Sequence, residues 1–256
     1  MYTSGKCPST VMECLQSGLE SISTWYRENG LLLNPDKCKL IVFTGNKKFD
    51  FNFNLKLGNF ILKEVSEVKL LGIFIDNKLS YTKHIDSLCR KVSPKIKALR
   101  RIFPYISREQ CKLVSSSFMS SELAYCPLVW SFASKTSLNR IQTLQNRAEK
   151  LCPDSQHTCI HRKNCETLLK EVYKTKSGLN PSYMEEVFRF KEAIAYNTRF
   201  QDIPRTTRYG TQGASFIGAQ LWKSLPTLVR SEDTLDSFTR QVRQLESLPC
   251  KCRPCA

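Results

Sequence analysis

The chain has 256 residues, of which 41% are apolar and 10% aromatic, so it is long enough for one or two domains with a packed core. This composition excludes a largely disordered polymer, and no apolar run approaches the roughly 18–20 residues of a membrane-spanning helix. The formal net charge of +16 favours a polyanionic partner, with nucleic acid first and an anionic membrane surface second.

The first predicted element is an amphipathic helix that begins near Thr10 and ends at Asn29-Gly30. Thr10-x-x-Glu13 has the spacing of a capping box, in which both side chains accept hydrogen bonds from free backbone N–H groups. Apolar residues then recur at spacings of three and four, namely Val11, Leu15, Leu19, Ile22 and Trp25 or Tyr26. Gly30 predicts the end of the helix, because glycine adopts a left-handed conformation without a Cβ penalty.

A small β-rich unit is predicted over residues 31–75. Four segments in it are predicted to be strands: 39–43, 51–57, 60–62 and 68–75. Gly58-Asn59 is a typical two-residue hairpin turn, so the strands on either side of it should be antiparallel.

Residues 78–151 are predicted to form a helical module. Its helices are expected at 82–103, from Ser107 towards Phe118, and at 138–151. Pro94 lies inside the first of them and should kink or split it, because proline lacks an N–H group and clashes with the preceding turn. Ser107-x-x-Gln110 is a second capping box.

The pattern weakens after residue 152. Helices are expected near 165–176, 182–195 and 233–246, with a polar segment rich in Arg and Thr at 196–214.

Seven segments together resemble the reverse transcriptases of LINE-type (non-LTR, jockey- and CR1-like) retrotransposons. They are ENGLLLNPDKCKLIVF (28–43), VKLLGIFIDNKLSYTKHI (68–85), KALRRI (97–102), LAYCPLVW (123–130), LNRIQTLQNRAEKL (138–151), GLNPSYMEEVF (178–188) and GAQLWKSLPTLVRSEDTLDSF (218–238). Each motif alone is weakly specific, whereas the ordered set covers nearly the whole chain.

The resemblance implies an α+β fold in three parts. Residues 1–77 would be the C-terminal remnant of the polymerase palm, 78–151 a helical thumb, and 152–256 a partly helical C-terminal tail. The family's catalytic aspartates lie in a Tyr-Ala-Asp-Asp turn, and MYTSGK at the start of this chain resembles the strand that follows it. The three ligands of a two-metal site would therefore precede Met1. The resemblance implies Mg²⁺ for the full-length enzyme, no cofactor in this chain, and the missing upstream part of the polymerase as a partner.

Lys37 is the one candidate catalytic residue that the resemblance implies. A lysine in this segment is proposed in the family to donate a proton to the leaving pyrophosphate, which is general acid catalysis. The alternative is a solvated lysine in the turn after Asn34-Pro35.

A basic helix is the candidate nucleic-acid-binding element. Its cations are Lys83, Arg90, Lys91, Lys95, Lys97, Arg100 and Arg101, and the one acidic residue among them is Asp86. The apolar stripe should face inward, which leaves the cations to follow the phosphate backbone of RNA or DNA without reading its sequence. The resemblance implies the same role, since the thumb grips the template–primer duplex. The alternative is a solvated helix face.

No metal site is assigned, although cysteine and histidine cluster twice. The clusters are Cys152, His157, Cys159, His161 and Cys165, and then Cys250, Cys252 and Cys255. Neither has the paired C-x₂₋₄-C spacing typical of zinc. Two alternatives to nucleic-acid binding stay open, namely a zinc-dependent interaction module and a transposon relic with no function as a protein.

The expected location is intracellular, in the cytoplasm or nucleus. The N-terminus has no charged segment followed by an apolar one, so no secretory signal is predicted. No membrane partner is expected, because no segment combines a basic face, a large exposed apolar face and a lipidation signal.

Overall fold

A computed structural model describes residues 1–46, 50–131, 133–151, 159–188 and 213–245. The chain divides into two compact units, Met1–His84 and Ile85–Ala256. Helices and two small antiparallel sheets make up these units, which confirms the α+β fold class. The three predicted domains and their boundaries stay predictions.

The first unit combines one long helix with two β-hairpins. Its elements are α1 (Pro8–Glu28), β1 (Lys56–Leu57), β2 (Phe60–Ile61), β3 (Glu67–Leu70) and β4 (Ile73–Asp76), followed by the start of α2 (Thr82–Ile102). Leu57 lies opposite Phe60 in the first hairpin, and Leu70 lies opposite Ile73 in the second. The apolar side of α1 and the chain around the first hairpin form one core, whose buried residues are Leu19, Leu40, Phe53, Leu55, Leu57 and Leu62.

The N-terminus of α1 differs from the prediction. The helix begins at Pro8, with Cys7 as the N-cap and no side-chain capping hydrogen bond, so the predicted capping box of Thr10 and Glu13 is wrong. Proline is favoured in the first helical turn for two reasons. Its fixed φ suits the helix, and the N–H groups of the first turn have no partner within the helix, so the lack of one costs nothing. Pro8 therefore starts the helix before Thr10 can cap it.

The C-terminus of α1 is closed as predicted. Gly30 has a φ of +68°, in the left-handed region. The N–H of Gly30 donates to the carbonyl of Arg27 at 3.1 Å, and the N–H of Leu31 donates to that of Tyr26 at 2.8 Å. These two bonds are a Schellman motif, which satisfies carbonyls at the helix end.

Two of the strand predictions are wrong. Residues 39–43 form no strand; Leu40 makes a single parallel bridge to Glu64. Residues 68–75 are not one strand but the hairpin of β3 and β4, because the chain turns at Leu71-Gly72, where φ is +46° and +90°. Positive φ at both central residues is the geometry of a type I′ turn, which the glycine permits.

The second unit is helical in its described residues. After the remainder of α2 its elements are α3 (Arg108–Leu123), α4 (Pro127–Trp130), α5 (Lys135–Leu151), α6 (Ile160–Lys176), α7 (Tyr183–Val187), α8 (Ala214–Ser224), α9 (Thr227–Arg230) and α10 (Leu235–Gln244). The helix α8 was not predicted, and the predicted helix at 182–195 is described only as far as residue 188. No helix in the described ranges is long and apolar enough to cross a membrane.

Among the described residues of the second unit, two hydrophobic clusters hold the helices together. The helices α2, α3 and α5 share the first, which contains Val92, Met119, Leu144 and Ala148. The second joins α6 with α8, α9 and α10, and its fully buried members include Leu169, Val172, Phe238 and Val242. The described helices after residue 159 therefore share one core, against which Leu128 of α4 also packs.

Candidate nucleic-acid interface

The candidate interface is built on α2, which is continuous across Pro94 and is not split. Its apolar side is buried, with exposures of 0% for Ile85, 1% for Val92 and 0% for Leu99. A stripe repeating at three and four residues lies on one side of a helix, so the basic residues between these positions lie on the flanks or opposite.

Two of the predicted phosphate-binding lysines are already paired with an acidic side chain of α3. Glu122 accepts hydrogen bonds from Lys91 Nζ at 3.3 Å and from Lys95 Nζ at 2.9 Å. The hydrogen bond from Lys95 is the main cause that lowers the pKa of Glu122, against the opposing effect of burial. Lys95 also lies 5.9 Å from the ring centroid of Phe118. These two ammonium groups hold α2 against α3 and are less available to a phosphate.

Lys83, at the start of α2, is also paired. Its ammonium group bonds the carboxylate of Glu67 on β3 and lies 5.3 Å from the ring centroid of Phe74. All three residues belong to the first unit. Lys83 thus contributes to the local structure around the second hairpin.

The acidic residue of α2 is neutralised by α5. Arg140 Nη1 donates to Asp86 Oδ1 at 2.5 Å, and this hydrogen bond raises the pKa of Arg140. The Asp86 carboxylate therefore does little to reduce the positive potential of the helix.

Three cations form a row on the exposed side of α2, which we call the outer row: Arg90, Lys97 and Arg101. With 3.6 residues per turn they lie within about 40° of one another around the helix axis, and they extend over about 16 Å. None of the three makes an ion pair with another described residue, and Arg90 Nε reaches only the Asp86 carbonyl, at 3.4 Å. Arg100 is exposed on one flank, also without an ion pair among these residues. The outer row and Arg100 are therefore the predicted basic residues whose charges are not paired with a carboxylate among the described residues.

Lys37 lies in an exposed 3₁₀ turn, Pro35–Lys37. The Asn34 side chain caps this turn by accepting a hydrogen bond from the N–H of Asp36 at 2.9 Å. Among the described residues, no group of three or more His, Cys, Asp or Glu side chains is placed to hold a metal ion. The assignment of Lys37 as a proton donor stays a prediction.

The cysteine clusters fall largely outside the described residues. Cys152, His157 and the three C-terminal cysteines Cys250, Cys252 and Cys255 are not described. Of the rest, Cys159 is the buried N-cap of α6, and burial raises the pKa of Cys165 to about 11. Burial, and then Lys135, lower the pKa of His161. Cys159, His161 and Cys165 alone form no candidate metal centre.

The sequence is similar to polymerases of mobile elements from fruit flies. It is 26% identical over 182 residues to the probable RNA-directed DNA polymerase from transposon BS of Drosophila melanogaster, covering 68% of this chain and 20% of that protein. It is 25% identical over 148 residues to the RNA-directed DNA polymerase from mobile element jockey of Drosophila funebris, covering 57% and 16%. A third match is the probable RNA-directed DNA polymerase from transposon X-element of Drosophila melanogaster, 20% identical over 200 residues and covering 74% and 21%.

The resemblance to LINE-type reverse transcriptases is confirmed. The chain spans about a fifth of the length of these curated relatives. No family model matches it, and no solved structure does.

Segment 68–85, which resembles reverse transcriptases, contains a hydrogen-bonded loop that the sequence pattern did not predict. Asp76 ends β4, and its carboxylate accepts four hydrogen bonds from the loop before α2. The donors are the N–H groups of Lys78 at 3.0 Å, Ser80 at 3.1 Å and Tyr81 at 2.9 Å, and the Ser80 hydroxyl at 3.0 Å. Leu79 and Tyr81 have φ values of +52° and +54°. Such backbone costs energy in non-glycine residues, so the carboxylate stabilises a strained turn. These hydrogen bonds give Asp76 a structural role at the start of the loop.

The stability of this loop should depend on pH. Partial burial opposes ionisation of Asp76, but the hydrogen bonds from Ser80, Tyr81 and Lys78 together hold its pKa below the ordinary value. A lowered folded-state pKa gives a stabilisation that is complete above about pH 4 and is lost as the pH falls through the folded-state pKa. We expect Asp76→Ala to destabilise the first unit by about 1–2 kcal/mol at neutral pH and to remove this acid dependence. Denaturant unfolding at pH 7 and at acid pH measures the loss of stability and its dependence on pH. If the stability of the variant still fell in acid as it does in the unmodified chain, other carboxylates would be responsible for the pH dependence.

Proposed function

We propose that the chain is part of a LINE-type reverse transcriptase and that it binds RNA or DNA duplexes through the outer row of α2. In this proposal residues 1–77 correspond to the end of the palm, 78–151 to the thumb and 152–256 to the C-terminal tail. The missing remainder of the polymerase is a partner, since the chain spans about a fifth of its relatives.

The proposal rests on the observation that Arg90, Lys97 and Arg101 are exposed and make no salt bridge among the described residues. Salt bridges occupy Lys83, Lys91 and Lys95, but the outer row makes none within the described part of the chain. The net charge of +16 adds a long-range attraction for a polyanion. Guanidinium and ammonium groups bind phosphate oxygens strongly and carry no base-reading geometry when they face the backbone.

Salt dependence is the first test. Each phosphate contact with B-DNA contributes about 0.9 to the negative slope of log K against log salt, so three contacts give a slope of about −3. Fluorescence anisotropy with two duplexes of unrelated sequence measures the slope and the sequence preference together. Equal affinity for both duplexes is expected, because the outer row would contact the backbone. A slope near zero, or a strong preference for one sequence, would contradict backbone binding.

We expect this chain alone not to extend a primer. Its sequence contains no two adjacent aspartates, and its described residues offer no cluster that could hold the metal ions of a polymerase. Lys37 then has no metal-held triphosphate whose leaving group it could protonate. The test incubates the purified chain with Mg²⁺, nucleotides and an RNA template–primer and separates the products by size. Any templated extension above that of a mock purification would refute this prediction.

A further inference from the structure

The turn that joins α2 to α3 presents an exposed tyrosine. Phe103–Tyr105 forms a single 3₁₀ turn containing Pro104, and 86% of Tyr105 is accessible to solvent. A single exposed aromatic side chain is common on protein surfaces, so the residues around Tyr105 decide what it can bind.

The turn beneath this tyrosine is firmly held. The N–H of Ser107 donates to Gln110 Oε1 at 2.9 Å, and the N–H of Gln110 donates to the Ser107 hydroxyl at 3.3 Å, so the predicted capping box is confirmed. The buried thiol of Cys111 contacts the Phe103 carbonyl at 3.9 Å. The backbone on both sides of Tyr105 is therefore held in place, which reduces the backbone entropy lost when its ring meets a ligand.

The surroundings of Tyr105 are strongly basic. Arg100 and Arg101 end α2 just before the turn, and Arg108 and Lys112 lie in the first turns of α3 just after it, against the one acidic residue Glu109. Arg100 and Arg101 are exposed and form no ion pair within the described residues. An aromatic ring among cations suits a partner that carries both flat rings and negative charges.

We propose that Tyr105 stacks on an unpaired base of a single-stranded RNA or DNA segment, while Arg100 and Arg101 bind its phosphates. In a duplex the faces of the bases are covered by their neighbours, so only unpaired or terminal bases offer a face to the ring. Stacking tolerates any base, because every base has a π face. This inference rests on the proposed function and adds a subsite for single strands to the backbone contacts of the outer row.

Two strands of equal length test the inference, oligothymidylate and an abasic strand with the same phosphates but no bases. One stacked base contributes enough that Tyr105→Ala should weaken oligothymidylate binding by about fivefold to a hundredfold. Tyr105→Phe keeps the ring and should bind like the unmodified chain. The abasic strand should bind more weakly and should not respond to Tyr105→Ala. Tyr183→Ala is the matched control, because Tyr183 is 67% exposed but precedes Glu185 and Glu186.

A second measurement reports base stacking directly. A strand carrying 2-aminopurine should change its fluorescence when it binds the unmodified chain, because stacking alters the emission of this base, and the change should disappear with Tyr105→Ala. Equal binding of both strands by the unmodified chain and by Tyr105→Ala would overturn the stacking subsite but leave duplex binding intact. Absence of binding to any nucleic acid would overturn both proposals.

Discussion

Reversing the charges of the outer row, with Arg90→Glu, Lys97→Glu and Arg101→Glu together, is expected to weaken duplex binding on the order of a hundredfold at about 0.1 M salt. Each lost phosphate contact should also reduce the steepness of the salt dependence by about 0.9. The three side chains are exposed and make no salt bridge in the described part of the chain, so their replacement breaks no ion pair among those residues. Anisotropy titrations at several salt concentrations measure both effects.

A matched triple variant distinguishes binding by the outer row from attraction by the net charge of the chain. Lys163→Glu, Arg230→Glu and Arg240→Glu change the net charge by the same amount at exposed positions of α6, α9 and α10. We expect this variant to lose much less affinity and to keep its salt slope. Equal losses of affinity in the two triple variants would show that binding depends on net charge alone and would contradict a specific role of the outer row.

The paired lysines of α2 offer a further contrast. Neutralising Lys91 and Lys95 would remove the two partners of the Glu122 carboxylate, whose side chain is largely shielded from solvent. An unpaired, shielded charge destabilises a fold. The affinity lost in such a variant would therefore mix a weaker fold with weaker binding, whereas substitutions in the outer row report on binding.

The sequence was sufficient to predict the basic helix but not the availability of its charges. A stripe of apolar residues repeating at three and four predicts which side of α2 is buried, because this pattern depends only on helix geometry. The partners of Lys91 and Lys95 come from a different helix, 27 residues or more along the chain. No local spacing connects Glu122 to them, so the distinction between paired and free cations needs the tertiary structure.

Strands were harder to predict than helices in this chain, for a similar reason. Phe53, Leu55 and Leu57 are buried in alternation, as their pattern indicates, yet ladder pairing is limited to Lys56–Leu57. A strand needs a partner as well as an alternating pattern, and the partner is set by the fold. The glycine in Leu71-Gly72 was the available signal for the second hairpin, since a glycine inside a strand pattern often marks a turn or bulge.

The expected effect of Phe238→Ala bears on the alternative that the chain is a transposon relic with no function as a protein, for which no cooperative core is expected. Phe238 is fully buried between α6 and α8, with its ring centroid 4.4 Å from that of Tyr173 and 5.8 Å from that of Trp222. Removing a buried phenylalanine side chain costs about 3–5 kcal/mol, through lost burial and the cavity left behind. That is a large part of the roughly 5–15 kcal/mol that stabilises a typical domain.

Hydrogen exchange of the α6 backbone amides measures this loss where it occurs. In the unmodified chain the amides of Leu169 and Val172, whose side chains are fully buried, should be strongly protected. Phe238→Ala should reduce their protection free energy by about 3–5 kcal/mol. Leu228→Ala, at a position 83% exposed on the neighbouring helix α9, should change it by less than about 0.5 kcal/mol. Amides that exchange freely in the unmodified chain would mean that this core does not form in solution, as expected of a relic. Protection that depends on Phe238 but not on Leu228 would instead show that the tail folds around this core.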